Sequence, residues 1–247
     1  MCGFIGYSSQ IKKEDPDYRS KFEFYHKQMI NRGPDFQKKI LFKNNLKKFN
    51  LGFSRLSIQD SSEDANKIFS NEKYCLLFNG EIYNKENLKK KYFKGEFFET
   101  KTDTELLFKL LIKFQMKNIS EIEGIFAFVF IDLEKNIIYL VRDYTGTKPL
   151  YYSFINNEIF FSSEAWFLYS LSKKKLNTES VNFYFRFGFP PKEKTLVENV
   201  YKVKPNSYLS YDFSKNKIYN NNLVNIGDVK NFEDDVNYRS LISNSIK

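Results

Sequence analysis

The chain has 247 residues, 42% of them hydrophobic and 18% aromatic, with a formal net charge of +9. That is enough apolar material to bury a substantial core, and it excludes an intrinsically disordered chain. The excess charge is Lys scattered among Asn, in runs such as Lys89-Lys90-Lys91 and Lys173-Lys174-Lys175, which read as solvated faces and not as a nucleic-acid surface.

In chain order, alternation over residues 3–8 predicts a short strand. Asp15-Pro16 then supplies an N-cap and a first-turn proline for a helix carrying Tyr18, Phe22, Tyr25 and Met29, which Gly33-Pro34 ends. From there to Phe78 the pattern is strand-like, with turns at 43–45 and 61–66. A helix is predicted over 84–92. A stronger one starts at Asp103, with Leu106, Leu107, Leu110, Leu111 and Phe114 as its apolar stripe. Hairpins follow: 125–133 with 137–141, then 150–154 with 158–161 turning at Asn156-Asn157. Helices over 165–170 and 179–187 and a last hairpin over 207–219 complete an α+β pattern of antiparallel strands with a few helices. No internal repeat is visible.

Two cysteines, Cys2 and Cys75, imply no disulfide framework. Cys75 lies in the apolar run Tyr74-Cys75-Leu76-Leu77-Phe78 and reads as a buried strand residue. No stretch reaches transmembrane length, and no secretory signal opens the chain. The expectation is a cytoplasmic protein with neither nucleic acid nor membrane as partner. The single histidine, His26, falls inside a helical pattern without metal-ligand partners, so no metal site is expected.

Cys2 is the first candidate for chemistry. Met1 before a small residue is normally trimmed, which leaves Cys2 with a thiol and a free α-amine. The amine titrates at about 7.7–8.0 and a thiol near about 8.5, so a proton passes between them almost isoergonically. An N-terminal amine is an established partner for a nucleophile. Alone, a Cys at position two is a weak signal.

Further blocks follow it in order: Arg32-Gly33-Pro34-Asp35, Gly52-Phe53-Ser54-Arg55-Leu56-Ser57-Ile58, Asn79-Gly80-Glu81-Ile82-Tyr83-Asn84, Thr102-Asp103-Thr104-Glu105 and the stretch from Arg142 to Tyr152. With Met1-Cys2-Gly3 they resemble the glutamine-hydrolysing domain of asparagine synthetases, the class II glutamine amidotransferases. The resemblance covers the chain to about residue 210. It implies the four-layer αββα sandwich of N-terminal nucleophile hydrolases, with glutamine as the substrate.

It also implies roles. Cys2 attacks the carboxamide carbon, and Asn79 with Gly80 forms an oxyanion hole. Arg55 holds the α-carboxylate, Asp103 pairs with the α-ammonium, and Leu56, Ser57, Ile58, Gln59 and Glu81 add contacts. Residue by residue, blander readings stand beside these. Asn79-Gly80 alone suits a tight turn, and Asp103 alone suits a helix N-cap. Arg32-Gly33-Pro34-Asp35 reads as a helix stop with an internal ion pair, and 142–152 as a supporting turn.

The resemblance further implies two regions: 1–228 as the amidotransferase domain and 229–247 as the opening helix of a synthetase domain. The Ser-Gly-Gly-Leu/Met-Asp-Ser loop of that second domain does not occur in these residues. No cofactor is therefore expected in this chain; ATP and Mg would belong to the missing synthetase domain, on a partner domain or subunit, and a homodimer is expected as a further option. The competing expectations are a non-catalytic docking or regulatory module and a basic nucleic-acid-binding protein.

Overall fold

The computed structural model describes residues 2–223 except 12, 13, 59, 61 and 174, together with Arg239 and Ser243. The expected synthetase helix over 229–247 therefore lies almost wholly outside the described residues.

Strands β1 (Gly3–Gln10), β2 (Phe36–Lys43), β3 (Lys47–Arg55), β8 (Tyr151–Ile155), β9 (Glu158–Ser162) and β10 (Tyr201–Lys202) form one antiparallel sheet in the order β10-β8-β9-β1-β3-β2. The second sheet runs β12-β11-β7-β6-β5-β4, from β4 (Phe69–Ser70), β5 (Tyr74–Ile82), β6 (Gly124–Asp132), β7 (Ile137–Arg142), β11 (Ser207–Asp212) and β12 (Lys217–Asn222). Helices α1 (Pro16–Gln28) and α4 (Ala165–Leu171) cover the outer face of the first sheet, and α2 (Lys85–Tyr92) and α3 (Asp103–Phe114) cover that of the second. The result is the expected αββα sandwich.

Side chains along β6 show why. Ala127, Val129 and Ile131 point into the core between the sheets, while Phe126, Phe128 and Phe130 point toward α3. A strand buried on both faces needs no polar alternation, which accounts for the run Phe126-Ala127-Phe128-Val129-Phe130-Ile131. β1 behaves alike: Phe4 enters the inter-sheet core, and Ile5 and Tyr7 meet α1 and α4. Cys75 is fully buried in the inter-sheet core, as expected.

Asp15 caps α1 by accepting the Asp17 N–H at 2.9 Å, with Pro16 in the first turn. The α-helix ends earlier than predicted: Met29–Asn31 tightens into a 3-10 turn before Gly33. Gly33 is also no left-handed cap. It is needed for close approach, since a Cβ there would lie 2.3 Å from the Ser54 carbonyl carbon. At Asn156-Asn157 both residues have positive φ, 53° and 62°, as a tight hairpin between β8 and β9 requires.

The remaining helix, α5 (Thr178–Phe187), is capped by Asn177 and by left-handed Gly188. Among its residues only Ser180 is buried, and Phe185 is 81% exposed beside exposed Tyr184, Phe187 and Phe189.

Candidate active site

β1 lies inside its sheet between β9 and β3, and its register sets Gly3 opposite Ser54. Continuing that register brings Cys2 beside Arg55. From the other sheet, β5 ends in Asn79, Gly80 and Glu81, and α3 begins at Asp103. Cys2, Arg55, Leu56, Ile58, Asn79, Gly80, Glu81 and Asp103 all line one open cleft of about 800 Å³, solvent at its mouth included. Residues 2 to 103 thus meet where the two sheets end together.

The Cys2 thiol donates to the Leu56 carbonyl at 3.7 Å, and its own carbonyl accepts from Arg32 Nε at 3.3 Å. Arg32 Nη1 is paired with Glu164 at 2.5 Å. This corrects the expected ion pair inside the Arg32–Asp35 block: Asp35 instead accepts the Ser57 N–H at 2.6 Å. Burial pushes the thiol pKa up, Asp103 adds to the rise, and the Leu56 hydrogen bond and Arg55 oppose it. A thiol so placed needs a base. His26 is not among the cleft residues: it sits on the buried face of α1, its Nε2 lies 3.4 Å from the Phe53 carbonyl, and burial lowers its pKa.

Asn79 is 2% exposed, and its Nδ2 has no hydrogen-bond partner among the described residues. Leaving such a donor unpaired costs about 1–3 kcal/mol, and this one stands in a residue that lines the cleft. Asn79-Gly80 is not the tight turn its composition favours. Both residues lie within β5, paired with Ala127 and Phe126 of β6. A Cβ on Gly80 would stand 2.3 Å from the Ile125 carbonyl oxygen, so glycine permits the strand approach itself.

The Arg55 guanidinium donates to Ser57 Oγ at 2.7 Å, to Asn66 Oδ1 at 2.6 Å and to the Asp60 carbonyl. No carboxylate among the described residues pairs with it. Asp103 is not the helix cap; Thr102 is, accepting the Glu105 N–H at 3.3 Å. Asp103 is thereby free to face the cleft, where it accepts the Ile82 N–H at 3.0 Å. Burial pushes its pKa up to about 6, with Glu81 adding to the rise, against the Ile82 bond and the charge of Lys85. No Lys or Arg among the described residues forms an ion pair with it.

Of the other expected contacts, Leu56, Ile58 and Glu81 line the cleft, with Ile58 79% exposed. Ser57 braces Arg55 and is not a lining residue, and Gln59 lies outside the described residues. Lys67, Thr102 and Lys148 also line the cleft, and Asn66 holds Arg55, all four outside the expected set. Only Thr102 and Lys148 fall in blocks the sequence marks; nothing in the sequence points to Asn66. Among the described residues no group of His, Cys, Asp and Glu is arranged to hold a metal ion, and no helix is long and apolar enough to cross a membrane.

The arrangement suits a zwitterion with a carbonyl in its side chain. Among the described residues it offers Arg55 without a carboxylate partner, Asp103 without a cation partner, and a thiol in the same cleft as an unpaired amide donor.

Comparison with known proteins agrees. A family model described as a glutamine amidotransferase domain matches residues 1–222. The glutamine-hydrolyzing asparagine synthetase 1 of Bacillus subtilis is 32% identical over 211 residues, covering 84% of this chain and 33% of that protein. A putative glutamine-hydrolyzing asparagine synthetase 2 of Methanocaldococcus jannaschii is 31% identical over 243 residues, covering 88% and 45%. The chain thus spans a third to less than half the length of these curated relatives. The glutamine phosphoribosylpyrophosphate amidotransferase of B. subtilis shares the fold, with a TM-score of 0.61 over 90% of this chain and 49% of that one, at 17% identity.

Proposed function

The chain belongs to the glutamine amidotransferase domain family, and on that premise we propose that it hydrolyses glutamine to glutamate and ammonia through a thioester on Cys2. The observation that carries the proposal is the convergence of Cys2, unpaired Asn79 Nδ2, Arg55 and Asp103 on one cleft.

Arg55 turns its fork to the α-carboxylate and Asp103 takes the α-ammonium, which sets the distance from backbone to carboxamide. With Met1 removed, the α-amine of Cys2 accepts the thiol proton as Sγ bonds to the carboxamide carbon. The developing oxyanion is received by Asn79 Nδ2 and the Gly80 N–H. The proton passes to the amide nitrogen as the C–N bond breaks, and ammonia leaves. Water then attacks the γ-glutamyl thioester, giving glutamate and restoring the thiol. Burial of the thiol keeps it protonated at rest, so its activation requires this proton acceptor.

The ammonia would serve an ATP-dependent amidation, of aspartate or a related acid, on a synthetase-type domain or subunit that holds ATP and Mg. The exposed aromatic face of α5 supports a protein partner, because an apolar helix face of this breadth is ordinarily covered.

The test is ammonia release from glutamine by the purified chain, by Cys2→Ala, and by a form with one extra residue before Cys2. Turnover in the native chain, lost in both altered forms, is expected. Equal turnover in Cys2→Ala would refute the thioester route.

A further inference from the structure

The block from Arg142 to Tyr152 carries no step of the reaction above, yet its first two side chains hold an entire loop. Asp143 is fully buried and accepts five hydrogen bonds. Its Oδ1 takes the Thr145 N–H, the Thr145 hydroxyl and the Thr147 N–H, each at 3.0 Å. Its Oδ2 takes the N–H groups of Phe126 at 3.0 Å and Lys148 at 3.2 Å. Arg142 donates to the loop's Gly146 and Lys148 carbonyls at 2.5 and 2.9 Å, and to the Val203 carbonyl just after β10 at 2.9 Å. Gly146, at φ 69°, makes the turn against the guanidinium.

Two parts of the cleft hang on this staple. Lys148, pinned at both its N–H and its carbonyl, lines the cleft. Phe126 is the partner of Gly80 across β5 and β6. The last rung between β6 and β7 joins Ala127 to Arg142. Beyond it, Asp143 completes the ladder, its side chain taking the Phe126 N–H and its own N–H returning to the Phe126 carbonyl at 2.9 Å. Phe126 Cα lies directly against Gly80, where an added Cβ would stand 2.6 Å from it, and the next rung joins Asn79 to Ala127. Displacement of Phe126 is therefore passed on to Gly80 and Asn79. Arg55 finds its partners in other segments, at Ser57, Asp60 and Asn66, whereas Asp103 accepts from Ile82, two residues beyond Gly80 on β5.

We propose that Asp143 is a positioning residue for the oxyanion site: it fixes Asn79 and Gly80 through Phe126 and leaves the Arg55 contacts, held by other segments, in place. This rests on the glutaminase reading. Asn at 143 would offer one acceptor oxygen to five donors and turn an NH2 group toward N–H groups.

The experiment compares the full chain with Asp143→Asn and Thr145→Val. It measures kcat and KM for glutamine, binding of glutamate, and inhibition by glutamate γ-semialdehyde. The aldehyde carbon bonds to Cys2 Sγ, the thiol proton ends on the aldehyde oxygen, and that oxygen occupies the oxyanion site. For Asp143→Asn, kcat and aldehyde inhibition should both fall about 10- to 100-fold, with KM and glutamate binding within about threefold. A folded variant with kcat and aldehyde inhibition within about twofold of the native chain overturns the proposal. So does an equal loss of glutamate binding, which marks general loosening. If Asp143→Asn does not fold, Thr145→Val on the exposed loop decides: about a threefold loss of kcat at constant KM supports the role, and unchanged kcat overturns it. If the native chain releases no ammonia, the glutaminase reading falls, and the aldehyde and glutamate affinities alone judge Asp143.

Discussion

Asp103 and Asp143 are two buried carboxyls that each hold a strand end of the same sheet, one at Ile82 of β5 and the other at Phe126 of β6. Their surroundings differ in one respect. Asp143 is surrounded by five donors and left with nothing to bind. Asp103 is buried with few donors, no ion pair among the described residues, and a pKa raised to about 6. The fold has satisfied the first and withheld partners from the second, as it has from Asn79 Nδ2. A buried polar group left short of partners costs stability, and on the proposed glutaminase reading each such group at this cleft meets one feature of glutamine. On that reading one carboxyl binds and the other holds, and substitutions should break along the same line.

The largest effect is expected on the binding side. Asn79→Ala should lower kcat by about 10²–10³-fold, read in steady-state ammonia release, because it deletes the preorganised donor. Asp103→Asn should lower kcat/KM by about 100-fold, chiefly through KM. The same variant should be more stable above pH 6, by about 1–3 kcal/mol in denaturant melts, and this stability gain distinguishes it from damage to a structural residue. The sign follows from the raised pKa. A carboxyl that titrates near 6 when folded favours the fold while protonated and loses that contribution as the pH rises through about 6. Asn keeps the neutral form at every pH.

Native kcat/KM should fall more steeply below about pH 6 than above it, since protonation of Asp103, which removes the partner of the α-ammonium, adds to protonation of the Cys2 α-amine at about 7.7–8.0; no steepening between pH 6 and pH 5 would count against that role. Arg55→Lys should raise KM by about tenfold with kcat little changed, because a point charge replaces a two-pronged donor. The smallest effect belongs to Thr102→Ala, a cap loss of about 1 kcal/mol in thermal stability.

Much of this was legible in the sequence because strands buried on both faces leave long apolar runs, and because caps and turns announce themselves locally. Pro16 behind Asp15, the paired Asn156-Asn157 and the Leu stripe of α3 are such signals. The departures are all tertiary. Asn79-Gly80 has the composition of a turn, but pairing with β6 holds it extended. Thr102 and Asp103 are adjacent cap formers, and only the direction of each side chain decides which one caps and which one faces the cleft. Arg32 finds Glu164, far along the chain, and not Asp35 three residues away. Asn66 reaches Arg55 from an irregular segment whose composition carries no pattern.

The position of β1 has a consequence for folding. The strand is clamped by β3, some forty residues later, and by β9, some hundred and fifty residues later. Contacts of such long sequence separation are slow to form, so the cleft that Cys2 lines is assembled by the late, non-local pairings of the sheet and not by any local turn.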